Sequence, residues 1–113
     1  MWKKGRQNSG YKIITLINRK INLFKLYGFD SYIIKYNKGH FIPPHKDLVK
    51  FGRHYRINII LFNSNKEGGK FICEEYKTYF FKRIILFRPD LCEHSVSECD
   101  GNRVILSIGW LLK

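Results

Sequence analysis

Tyr55-Arg56-Ile57-Asn58-Ile59-Ile60-Leu61-Phe62 is the stretch on which the fold turns. Its residues are mostly strand-favouring Ile, Phe and Tyr, and Asn63-Ser64-Asn65 breaks it. It reads as a central strand. Similar short runs flank it on both sides. Upstream, Tyr32-Ile33-Ile34-Lys35-Tyr36 ends at Asn37-Lys38-Gly39, and His40-Phe41-Ile42 leads into Pro43-Pro44. Two prolines remove two ladder donors and suit an edge or a bend. Downstream, Glu67-Gly68-Gly69 suits a bulge or a positive-φ turn before Lys70-Phe71-Ile72-Cys73. Strands are then expected over 78–81, 83–87 (stopped by Pro89-Asp90), 93–96 and 103–111. About seven or eight short strands at regular spacing predict an all-β sandwich or barrel.

The N-terminal part is harder to read. Residues 1–10 are polar and basic and predict a mobile arm. Tyr11 to Ile17 could form a strand. Ile17, Ile21 and Phe24 recur at helical spacing, which predicts a short amphipathic helix near 18–27, ended by Gly28. The expected organisation is one domain: an arm with a short helix or strand over 1–31, and a β core over 32–113.

With 113 residues, 44% hydrophobic and 16% aromatic, the chain can build one real core. The net charge of +12 fits a nucleic-acid partner. A composition rich in Lys, Asn, Ile and Tyr, with Lys dispersed along the chain, accounts for it equally well. No apolar run is long enough to cross a bilayer, and the basic start lacks the apolar stretch of a secretory signal. Cys73, Cys92 and Cys99 are odd in number and irregularly spaced, which predicts reduced thiols and a soluble, cytoplasmic protein.

His45-Lys46-Asp47 places two potential metal ligands at i and i+2, on one face of a strand. His94, on a short strand after a Pro-Asp turn, is the natural third ligand. Two imidazoles and one carboxylate leave coordination positions open, which is the ligand set of non-haem iron(II) oxygenases, whereas structural zinc prefers closed, thiolate-rich sites. Arg103 opens the last strand and shares a face with Ile105, Ser107 and Gly109. A buried Arg is costly unless paired, and a dicarboxylate would pair it bidentately, with Ser107 adding a hydrogen bond. Alternatively, Arg103 caps the strand edge and meets water.

From Tyr32 to the C-terminus the chain resembles the double-stranded β-helix (jelly-roll, cupin-like) core of the iron(II)/2-oxoglutarate oxygenases, in particular the prolyl-4-hydroxylase-like branch. The resemblance rests on Tyr36…Gly39, His45-Lys46-Asp47, Gly68-Gly69-Lys70-Phe71, Phe87-Arg88-Pro89, His94-Ser95-Val96 and Gly101-Asn102-Arg103 followed by Trp110. It implies a dioxygenase that binds Fe(II) through His45, Asp47 and His94 and consumes 2-oxoglutarate and O2. Decarboxylation yields succinate as a substrate C–H is hydroxylated. The 5-carboxylate would lie on Arg103, and Tyr36 would line the co-substrate pocket or serve merely as a barrel aromatic. Protein or peptide side chains are the implied substrates, prolyl first. The nucleobase-demethylating relatives carry a second arginine where this chain has Gly109, which weighs against a nucleic-acid substrate.

Two departures stand out. The position on the third core strand where many relatives carry a hydroxyl aligns with Leu61, and the N-terminal helices that buttress such cores are almost missing. The chain is then a minimal version, a fragment, or a protomer completed by a partner in a homo-oligomer. Arg56 and Asn58 share a strand face and could touch substrate, or form a solvated face. His40 and His54 are expected at the surface. Two rivals are a basic nucleic-acid-binding module with zinc on Cys92, His94 and Cys99, and a β-barrel that binds without catalysing.

Overall fold

The computed structural model describes residues 3–4, 10–23, 26–47, 49, 52–75, 77–80 and 83–112. The expected arm falls largely outside them. Among the described residues ten strands form two antiparallel sheets: β1 (Lys3–Lys4), β2 (Lys12–Leu23), β3 (Leu26–Tyr36), β4 (Ile42–His45), β5 (Arg53–Asn63), β6 (Phe71–Cys73), β7 (Lys77–Phe80), β8 (Ile84–Phe87), β9 (His94–Val96) and β10 (Arg103–Leu112). The larger sheet runs β1-β2-β3-β10-β5-β8-β7 and the smaller one β4-β9-β6. The strand spacing predicted an all-β sandwich or barrel, and the two facing sheets are the double-stranded β-helix that the resemblance implies. β5 and β10 lie at the centre of the large sheet, and the Pro43-Pro44 strand β4 lies at an edge of the small one, where missing donors cost nothing.

The helix expected near 18–27 is not formed. Residues 18–23 continue β2 and 26–27 open β3; residues 24 and 25 are outside the described set. β2 pairs with β3 from Lys12↔Lys35 to Leu23↔Leu26, with irregularities after Thr15 and Lys20. The open edge of β3 supplies a hydrogen-bond partner to each residue that joins it, and the β-branched run takes it; spacing of three apolar residues is a weaker prior. Gly28, expected to end a helix, sits inside β3 opposite Leu111. The boundary expected at 31/32 falls within β3. Among the described residues no helix is long and apolar enough to cross a membrane.

Two clusters make the core. Tyr11, Ile34, Tyr36, Val96, Cys99 and Ile105 form one, and Cys73, Ile85, Phe87 and Cys92 the other, with Phe71 packed against both. Cys73 and Cys92 are joined in a disulfide, contrary to the expected reduced thiols, while Cys99 is free and buried. Folding brings β6 against β9, so irregular spacing along the chain did not report proximity. The bridge removes the cysteine pattern as a sign of a reducing compartment. At Gly69 φ is +65°, the positive value expected there, and a Cβ at Gly68 would run into the Glu98 carbonyl oxygen.

Candidate metal centre

His45 ends β4, Asp47 follows two residues later, and His94 opens β9; His45 and His94 are ladder partners. The cross-strand pairing holds the two rings 4.2 Å apart between centroids. His45 Nε2 lies 3.5 Å from Asp47 Oδ1, and His94 Nε2 lies 3.5 Å from Asp47 Oδ2. One ligand atom from each of the three falls within 4.8 Å of the others. A six-coordinate ion with bonds near 2 Å holds donors on one face about 3 Å apart, so the cluster needs little adjustment to share an ion.

The tautomers are fixed for that task. His45 Nδ1 is 2.9 Å from the Pro43 carbonyl oxygen, and His94 Nδ1 is 2.9 Å from the Cys92 carbonyl oxygen. A carbonyl only accepts, so each Nδ1 carries a hydrogen, and each Nε2, on the Asp47 side, would give its lone pair to an ion held there. Asp47 is held by its backbone N–H, which donates to the Pro89 carbonyl at 2.8 Å. The turn before His94 is braced by Arg88, which donates to both Asp90 oxygens at 3.0 and 2.7 Å. Burial pushes the Asp90 carboxyl up, but these hydrogen bonds outweigh it and hold its pKa below the ordinary value. Phe87 meets the His94 ring edge-on at 5.3 Å.

The triad lines a cavity of about 480 Å³ between the two sheets. Tyr36, Arg56, Asn58 and Ser107 line it too, so Arg56 and Asn58 face inward and not a solvated surface. Leu61 is 48% exposed and does not line the cavity. A ladder irregularity between Val104 and Ile105 leaves Asn58 as the inward polar residue near Ser107, which donates to its Oδ1 at 2.6 Å. His54, expected at the surface, is buried and lines the cavity. Burial, and then the Arg56 charge, lowers its pKa. His40 is half-buried and accepts from the Asn37 N–H.

Arg103 is 3% exposed, which removes the alternative of a strand-end arginine in water. It does not line the cavity: its guanidinium lies 5.0 Å from the centre of the Tyr36 ring, with Nε buried and unpartnered. Tyr36, with Tyr11 stacked on it at 5.7 Å, stands on the cavity side. Burial raises the Tyr36 phenol far above its ordinary pKa, against the opposing charge of Arg103, so the phenol is neutral. The thiol-zinc alternative loses Cys92 to the disulfide. Asp30, His54 and Gly109 were not found from the sequence as site residues. Strand register reveals them: Gly109 of β10 pairs with Asp30 of β3 on one side and Arg56 of β5 on the other, and His54 lies 3.5 Å from Arg56 Nη2.

No protein-family model and no curated protein sequence matches the chain. Solved structures do. A prolyl-4-hydroxylase of Pseudomonas putida superposes with a TM-score of 0.68 at 14% identity, over 99% of this chain and 77% of that one. A prolyl hydroxylase of Trichoplax adhaerens, solved with a peptide fragment of a hypoxia inducible factor, gives 0.72 at 16%, over 98% and 70%. A collagen prolyl hydroxylase of Paramecium bursaria Chlorella virus-1, solved with 2-oxoglutarate, gives 0.56 at 19%, over 74% and 59%. At such identities the likeness establishes the fold; chemistry has to come from the site itself.

Proposed function

We propose that this chain is a non-haem iron(II) oxygenase that consumes 2-oxoglutarate and O2 and hydroxylates a C–H of a protein or peptide side chain, prolyl first. The observation that carries the proposal is the triad with both Nδ1–H groups tied to carbonyls and both Nε2 atoms turned to one carboxylate. His45, Asp47 and His94 would hold the ion. Bound iron and 2-oxoglutarate supply oxidising power that side chains lack. The chain's own part is to orient and to exclude water. Asp47 is positioned through Pro89, His94 through Cys92, and the Phe87 ring shields one side of the site.

Arg103 is the proposed partner of the distal carboxylate. Its buried, unpartnered Nε carries a desolvation cost that a carboxylate would relieve. For a diacid spanning from the triad to Arg103, the Tyr36 ring has to turn aside, and Tyr11 with it. Ser107 is buried on the same strand as Arg103, but its one hydroxyl hydrogen goes to Asn58 Oδ1, so it would bond the diacid only by releasing Asn58. The prolyl hydroxylases of the same fold, one holding a peptide and one 2-oxoglutarate, support both the co-substrate and the substrate class.

A nucleobase substrate is the second reading, favoured by the net charge of +12 and by Arg56, whose guanidinium fills the space over Gly109. One experiment separates them. Iron(II)-dependent succinate formation is followed with peptide and oligonucleotide pools, and mass spectrometry locates the added oxygen. We expect oxygen in peptides and no turnover by His45→Ala. Absence of succinate under anaerobically loaded iron, followed by air, overturns the proposal.

A further inference from the structure

The cavity wall formed by the large sheet carries a polar network whose ion pair, Arg56 with Asp30, has no part in the proposed binding of metal and co-substrate. Arg56, 5% exposed, donates from Nη1 to Ser107 Oγ at 2.8 Å and from Nη2 to Asp30 Oδ1 at 2.6 Å. Its guanidinium lies 4.8 Å from the centre of the Tyr32 ring. Gly109, its ladder partner, makes the room: a Cβ there would overlap Nη2. A buried ion pair adds little net stability compared with apolar residues of the same size. Placed in a cavity beside a metal-binding cluster, it points to function. Arg56 Nε is moreover buried without a partner.

β10 separates the two buried arginines. Arg103 lies at its start, and Arg56 reaches in over Gly109, about 20 Å further along at the usual rise of a strand. A diacid anchored on Arg103 therefore leaves the Arg56 end for the molecule to be oxidised. That end is close to neutral. Asp30 offsets Arg56, and His54, 3.5 Å from Nη2, is kept uncharged by burial and by Arg56. A carboxylate or phosphate arriving there would have to displace Asp30 or face it. An amide would give its carbonyl to the guanidinium and its N–H to the carboxylate.

We infer that Asp30 and Arg56 form the substrate-recognition pair of this cavity, and that they take an uncharged amide, a peptide bond or carboxamide, adjoining the C–H to be oxidised. This rests on the oxygenase proposal and narrows its substrate. Gly109 is the positioning residue that admits the pair.

The test titrates the full chain, both metal-free and loaded anaerobically with cobalt(II) and 2-oxoglutarate, with a pool of acetyl- and amide-capped proline-containing heptapeptides. Saturation-transfer NMR reads peptide binding, and cobalt absorption reads the metal site. Asp30→Asn and Arg56→Met should each weaken peptide binding at least tenfold, with Arg56→Lys regaining part of it. The partly exposed Asp30 provides the readout if Arg56→Met does not fold. Peptides that fail to bind the unaltered protein, or that bind both variants equally well, overturn the inference. If that happens while cobalt and 2-oxoglutarate still bind, the oxygenase proposal survives. If cobalt does not bind but pair-dependent peptide binding persists, the pair stands and the oxygenase falls.

Discussion

At the residue scale, the proposed chemistry depends on a few hydrogen bonds to backbone carbonyls. Because Pro43 and Cys92 fix the tautomers, each histidine offers one defined lone pair. Loss of an outer partner in such sites costs about ten- to a hundredfold in metal affinity, so His45→Ala should cost about a hundredfold or more, read by cobalt(II) titration. Arg103 makes a different prediction. Its guanidinium lies against Tyr36 and does not line the cavity that the triad lines, so Arg103→Ala should weaken 2-oxoglutarate by about 2–3 kcal/mol and leave iron affinity within about twofold. Equal losses by calorimetry would remove Arg103 from its proposed role. The His45-x-Asp47 pair could be read from the sequence because it lies within one short segment, whereas His94, far along the chain, enters as the natural third ligand and is matched by the resemblance. Asp30 and Gly109 could not be read in this way, since their significance depends on what lies across the ladder.

At the element scale, the Cys73–Cys92 bridge ties β6 to the segment leading into β9, at a sequence separation of 19. Closing a loop of that size should stabilise the fold by about 3 kcal/mol. Urea unfolding with and without reductant, and of Cys73→Ser, checks this; coincident curves would count against the bridge. The loops that close the barrel make a pH prediction. Asp100 accepts N–H bonds from Lys66, Glu67 and Gly68 at 2.9 Å each, and these hold its pKa down at about 2. A depressed carboxyl stabilises fully above its ordinary value of 3.8 and loses that contribution as pH falls through about 2. The three amides should therefore resist exchange at neutral pH and lose protection near pH 2, as NMR can follow. β2 marks where pattern reading fails: Ile17 and Ile21 satisfy a helical spacing and a β-branched strand alike, and the free edge of β3 decides.

At the scale of the whole molecule, most contacts join residues far apart in the chain. β3 pairs with β10 from Tyr36↔Arg103 to Leu26↔Leu112, and β10 pairs with β5 over its full length. The last strand thus joins the middle of the large sheet, and the sheet cannot be completed until the C-terminus arrives. Loop closure has to precede those contacts, so refolding should take milliseconds to seconds, slower than a helical domain of equal length. Stopped-flow fluorescence of Trp110, which stacks on Tyr55 at 6.0 Å, is the measurement; a microsecond main phase would contradict the topology.

Most strand positions from residue 32 onwards, the edge placement of Pro43-Pro44 and the His45-x-Asp47 pair could be read from the sequence alone, because side-chain period, proline's missing donor and i, i+2 spacing act over a few residues. His94 meets that pair only through the β4–β9 ladder. The pairing of β2 with β3, the Cys73–Cys92 bridge, the screening of Arg103 by Tyr36 and the seating of Arg56 over Gly109 were decided only in the tertiary structure. Each joins residues that meet solely through strand register, and register is set by which edges and faces are buried together, a property of the assembled sheets that no local stretch of chain carries.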